Sequence, residues 1–239
     1  MWLSIIILSL FSAILGYVAY AYLNFYPHII AKQIWTNFIT LYPHILSKNA
    51  TPTSFYLPQY FSPSKIFCVI SFAVISFLIS WLSQNNYQSI MLLVWLNAYF
   101  GLLWLLCLFD LRYRLIPIEL CYLLFILSIS AVIYHLLDRD IIVSLYHAFL
   151  GFITFYIISL IAKYIYQKEA LGMGDCWLML GLCSLLSLIQ IPWLILIASL
   201  LGIICALIAR YLGKHLTQIP FVPFLALGQT FLLLESVLY

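Results

Sequence analysis

Charge is what this chain of 239 residues has least of. Asp, Glu, Lys and Arg together make up 7% of it, against about 25% in an ordinary soluble domain. With 66% hydrophobic residues and a mean hydropathy of +1.13, it cannot clothe a water-soluble surface, so the soluble globular classes are excluded. The net charge of +3 is dispersed and forms no block of like sign, so no nucleic-acid partner is expected. Paired cysteines are absent too. Cys68, Cys107, Cys121, Cys176, Cys183 and Cys205 include no C-x-x-C pair, and they read as small membrane-embedded residues rather than disulfides or metal ligands. His28 and His44, sixteen residues apart, fall short of the four ligands of a closed zinc site, so no metal is expected.

What the chain has instead is apolar runs of about 20 residues, the length that crosses a bilayer as a helix. The expected fold is all-α, a polytopic membrane protein of about eight transmembrane helices over 2–23, 65–82, 90–109, 118–137, 141–162, 176–189, 191–209 and 220–238. The first run lacks the basic start and short apolar core of a cleavable signal, which makes it a retained helix. Residues 24–64 carry five of the nine prolines and should form a short, irregular, partly interfacial cytoplasmic loop. The expected organisation is therefore a first helix (1–23), a reduced loop (24–64) and a seven-helix unit (65–239).

Orientation follows from the basic residues, whose excess marks cytoplasmic loops. If the first helix runs outside to inside, Lys32, Lys48, Lys65, Arg112, Arg114, Lys163, Lys168, Arg210 and Lys214 fall inside, and Arg139 alone falls outside.

Only seven acids exist, so each can be weighed: Asp110, Glu119, Asp138, Asp140, Glu169, Asp175 and Glu235. Asp175 ends Leu171–Gly172–Met173–Gly174–Asp175, where the two glycines permit a tight turn into an apolar helix. Taken alone, it could simply cap that helix. Asp110 closes an apolar run and precedes Arg112 and Arg114, so its bland reading is an interfacial flank charge. The orientation above brings both to the cytoplasmic boundary, where two carboxylates sharing one proton could do aspartic-protease chemistry. A helix start favours negative charge, which assigns Asp175 as base and Asp110, at a helix end, as acid. Glu119 is expected to pair with Arg112 or Arg114.

Three stretches together resemble the type IV prepilin peptidase family, membrane aspartic proteases of the Gly-x-Gly-Asp type. Asp110 followed by Leu115, Ile116 and Pro117 is similar to its Asp-x5-(Ile/Leu)-Pro element. Glu169, Gly172, Gly174 and Asp175 match its Glu-x-x-Gly-x-Gly-Asp element. The stretch from Ile219 to Gly228, including Pro220 and Pro223, is close to its Ile-Pro-Phe-Gly-Pro-Phe-Leu-Ala-Leu-Gly, with Val222 where glycine is usual.

The resemblance implies that Asp110 and Asp175 are the catalytic pair, with Glu169, Gly172, Gly174, Pro117, Pro220 and Pro223 supporting the site. It also implies an enzyme of the inner membrane that cuts prepilin or pseudopilin precursors at the cytoplasmic face, after a glycine that precedes an apolar helix. Proteolysis would need no cofactor, and S-adenosylmethionine enters only if the N-methylation of many members is retained. Many members carry two C-x-x-C pairs in the first loop, and residues 24–64 have no cysteine. Two rivals stay open: a presenilin-like intramembrane protease, and a transporter or assembly protein that uses buried acids as a proton relay.

Overall fold

The computed structural model describes residues 2–41, 59–82, 90–167, 172–212 and 219–238. These form eight helices: α1 (Trp2–Leu41), α2 (Lys65–Leu82), α3 (Ile90–Tyr113), α4 (Ile118–Ile133), α5 (Ile141–Tyr166), α6 (Met173–Cys183), α7 (Gln190–Tyr211) and α8 (Val222–Leu238). No strand occurs among the described residues. Within a bilayer no water meets backbone amides, so an apolar chain satisfies them internally as helix. Long and short elements alternate. Four stretches, Ile6–Ile30, Ile90–Tyr113, Ile141–Ile165 and Gln190–Tyr211, are long and apolar enough to cross a membrane, and the four helices between and after them are shorter.

The outer faces fit lipid rather than water. On α5 the exposed residues Ile142, Tyr146, Phe149, Ile153, Ile157, Leu160 and Tyr164 recur at helical spacing, an apolar stripe that would drive aggregation in water. The opposite faces form one core through α3, α4, α6 and α8.

Two boundaries differ from the sequence expectation. The first helix does not stop at residue 23 but continues to Leu41 with Pro27 inside it, where an irregular loop was expected. A proline removes one hydrogen bond and disturbs one turn, and residues 28–41 contain no further proline and no glycine to break the helix. Conversely, α6 ends at Cys183 rather than running on to residue 189. The Ser184 hydroxyl donates to the Gly181 carbonyl at 3.0 Å, His147 Nδ1 donates to the Leu186 carbonyl at 2.8 Å, and Gln190 Oε1 accepts from the Ser187 amide at 2.9 Å. Side chains thus take over the backbone groups that a longer helix would have paired.

Helix α6 is held by close approach. A Cβ at Gly181 would lie 3.0 Å from Leu124 and 3.2 Å from the Phe125 amide nitrogen of α4, and the Ser128 hydroxyl is shared between the Leu124 and Gly181 carbonyls at 2.8 Å each. Small residues and such hydrogen bonds are what joins helices in lipid, where apolar surface alone gives no preference. Gly181→Val should therefore cost about 1–3 kcal/mol by overpacking. A denaturation titration of the purified protein in mixed micelles checks this, and an unchanged midpoint would contradict the packing.

Candidate active site

Asp110 sits in the last turn of α3 and Asp175 in the first turn of α6, with α4 and α5 between them in the chain. Both are buried, at 6% and 7% relative exposure, and the charge of Asp110 acts on Asp175. The fold therefore brings together the two acids singled out by sequence.

Each carboxylate is met by backbone. The Val222 amide at the start of α8 donates to Asp110 Oδ2 at 2.9 Å, and the Phe221 backbone contributes a second contact. Pro223 follows directly and has no N–H, which costs nothing where the first amides of a helix are unpaired anyway. The valine found where the family usually has glycine keeps the one group used here, its amide. Asp175 is not the N-cap. Gly172 is, and Asp175 stands three residues on, with its carboxylate turned back to the Gly172 backbone as the acid of a capping box does.

Both carboxylates thus lie at helix N-termini, Asp175 on its own helix and Asp110 on α8. This removes the contrast in helix dipoles that assigned Asp175 as base and Asp110 as acid.

The turn between α3 and α4 completes the site. Arg114 ends α3 in the left-handed region, φ 53°, with its guanidinium 3.6 Å over the Tyr60 ring, and its charge is felt by Asp110. Pro117 then caps α4 in extended geometry. Between them, Ile116 meets α6: a Cβ at Gly174 would lie only 2.7 Å from Ile116 Cβ. Gly174 is glycine because the turn after Asp110 presses on the turn before Asp175. Pro220 is half-buried just ahead of the Phe221 and Val222 amides.

Other expectations fare differently. Glu119 is exposed on the first turn of α4 and forms no ion pair with Arg112 or Arg114, correcting the pairing expected of it. Arg112 is buried with Nη2 donating to Gln59 Oε1 at 3.3 Å. Glu169 and His44 lie outside the described residues, and His28 is exposed on α1. No group of three or more His, Cys, Asp or Glu that could hold a metal occurs among the described residues. Ile116, Phe221 and Val222 fall within the stretches that carry the resemblance, but sequence reasoning gave none of them a contact at the two acids. The proline spacing from Pro220 to Pro223 was the one signal that a helix begins there.

Fold and site define a polytopic helical membrane protein with a buried carboxylate pair between helix ends. Residues 97–207 match the type IV leader peptidase family. The chain is similar to the prepilin leader peptidase/N-methyltransferase of Haemophilus influenzae, 46% identical over 77 residues, which is 32% of each chain. It also resembles the type 4 prepilin-like proteins leader peptide-processing enzyme of Escherichia coli, 44% identical over 78 residues, covering 33% of this chain and 28% of that one. A third relative, the prepilin leader peptidase/N-methyltransferase of Pectobacterium carotovorum, is 38% identical over 86 residues, 35% of this chain and 31% of its own. The matches span about a third of the length of these relatives. No solved structure matches the chain.

If Ile116 and Gly174 fix the spacing of the two turns, Gly174→Ala should lower stability by about 1–3 kcal/mol, and Ile116→Ala in the same chain should restore part of the loss. Thermal denaturation of the two single variants and the double variant measures this, and strictly additive losses would dissolve the contact.

Proposed function

We propose that this chain is a membrane aspartic endopeptidase that removes the leader from prepilin-like precursors at the cytoplasmic membrane face. The observation that carries the reading is the burial of Asp110 and Asp175 within reach of each other's charge, inside the segment that matches the leader peptidase family. In this mechanism one carboxylate takes a proton from water as it attacks the scissile carbonyl, while the other, protonated, donates to the carbonyl oxygen; on collapse of the tetrahedral intermediate the first carboxylate passes its proton to the leaving amine and the second takes one back from a gem-diol hydroxyl. The amides of Phe221 and Val222 hold Asp110 in place through the cycle. Gly172 caps the helix that carries Asp175, Gly174 admits Ile116 against it, and Glu169 precedes Asp175 by six residues in the sequence.

The inner-membrane placement rests on the apolar helices and the basic residues of the inside loops. The presenilin-like alternative is less well supported, because its two acids lie on consecutive helices. Methyl transfer, named for two of the relatives, would bring in S-adenosylmethionine. The cavity of about 610 Å3 between α1, α2, α3 and α4 does not suit it: the lining is apolar apart from Tyr22 and Ser130, with nothing to pair a charged sulfonium or carboxylate.

Asp110→Asn and Asp175→Asn should each reduce cleavage of a prepilin by about 10²–10⁴-fold while the protein still inserts, Glu169→Gln should be milder, and Asp138→Asn silent. Mass spectrometry of the new N-terminus reads this out, and normal processing by either asparagine variant would remove the pair from catalysis.

The orientation is tested separately. Single cysteines at Ser47 and Gln167 should label from the cytoplasmic side, and those at Asn86 and Arg139 from outside. Labelling of Gln167 from outside would put Asp175 on the opposite face and sink the proposed location.

A further inference from the structure

Below the carboxylates, the same three helices meet a second time at polar atoms. On α3 the buried stripe Tyr99, Leu103, Leu106 and Asp110 runs at helical spacing. On α6 Leu182 follows Asp175 by seven residues, and on α8 Gln229 follows Val222 by seven. A rise of about 1.5 Å per residue puts this second level about 10 Å along α6 and α8, and about 16 Å along α3, from the carboxylates. There the fully buried Gln229 donates through Nε2 to Tyr99 Oη at 3.2 Å and to the Leu182 carbonyl at 3.2 Å. The Tyr99 hydroxyl in turn meets Ser128 of α4, which reaches back to the Gly181 carbonyl of α6.

The packing makes this bridge consequential. Helix α3 packs on α1, α2, α4 and α8, and α6 packs on α4 and α5, so the helices that bear the two acids share no broad contact. Gln229 joins them. Deepening the peptidase reading on which it rests, we propose that Gln229 is a positioning residue whose amide group ties α3 to α6 and so sets the separation of Asp110 and Asp175. A purely stabilising role is poorly served by this side chain, since its own Oε1 is buried without a partner and a leucine would fill the space without that cost. Two donors on one nitrogen are what the site uses: a carboxylate offers none, and a carboxylic acid only one.

The test uses the full chain in detergent. Cys205, the exposed one among the six cysteines, is replaced by serine, and nitroxides are attached at Leu115→Cys and Met173→Cys, exposed positions that flank the two acids. Electron paramagnetic resonance then gives the distance distribution between the ends of α3 and α6. Gln229→Leu should broaden and lengthen that distribution, and should lower kcat for precursor cleavage about tenfold or more with KM within about twofold. Tyr99→Phe, which removes one acceptor and keeps the ring, should shift both in the same direction by less. Unchanged distances in both variants would overturn the proposal, as would a loss of kcat that merely tracks loss of folded protein. If the unsubstituted chain cleaves no precursor, the activity reading fails on its own, while the distances still decide whether Gln229 sets the spacing.

Discussion

A carboxylate buried in a helical membrane protein must be given donors, and the amides that receive Asp110 come from the far end of the chain. The Val222 amide lies 112 residues from Asp110 in sequence, so the last helix cannot be placed independently of the third. Backbone is well suited to this task. The first amides of a helix have no partner of their own, point along the axis and carry the positive end of the dipole. A side-chain donor at the same place would add rotamer freedom to a site that needs a fixed carboxylate. Pro223 contributes by absence, since it has no N–H for the site to satisfy.

Helix α6 reaches the site by a different means. It carries Asp175 on a short stem, and what locates it is the lack of side chains at Gly174 and Gly181, where Ile116 and Leu124 of the neighbouring turn and helix come within contact of its backbone. In a soluble bundle apolar side chains alone would draw these helices together. In lipid the surroundings are as apolar as the core, and only close packing and hydrogen bonds distinguish one neighbour from another. The same physics explains why the core holds Ser128, Tyr99 and Gln229 in a chain otherwise so poor in polar groups.

The spans were legible because each is an apolar run, and Asp110 and Asp175 were legible because acids are so scarce that position alone made them conspicuous. What sequence did not reveal has a common cause. The extension of α1 past Pro27, the early end of α6 at Cys183 and the cradle of Asp110 all depend on where backbone groups find partners, and a backbone amide leaves no mark in composition or periodicity. The helix-end argument for acid and base loses its basis for this reason: the helix that meets Asp110 is α8, not its own. Glu119 erred the other way. Its closeness in sequence to two arginines suggested an ion pair, but Arg114 lies over Tyr60 and Arg112 turns inward to Gln59.

The depth of the pair also bears on what it can do. A proton relay across the membrane would need titratable groups to continue from Asp110 along its helix toward the opposite face. The stripe that leads away from Asp110 is Leu106, Leu103 and Tyr99, and from Asp175 it is Leu178, Met179 and Leu182, with Gln229 between them. Among the described residues the remaining acids are Glu119, exposed on the first turn of α4, Asp138 and Asp140, in the turn between α4 and α5, and Glu235, on α8 six residues beyond Gln229. No carboxylate bridges the two levels. On these faces leucine and methionine back the pair, which favours the proposed hydrolysis over a proton relay.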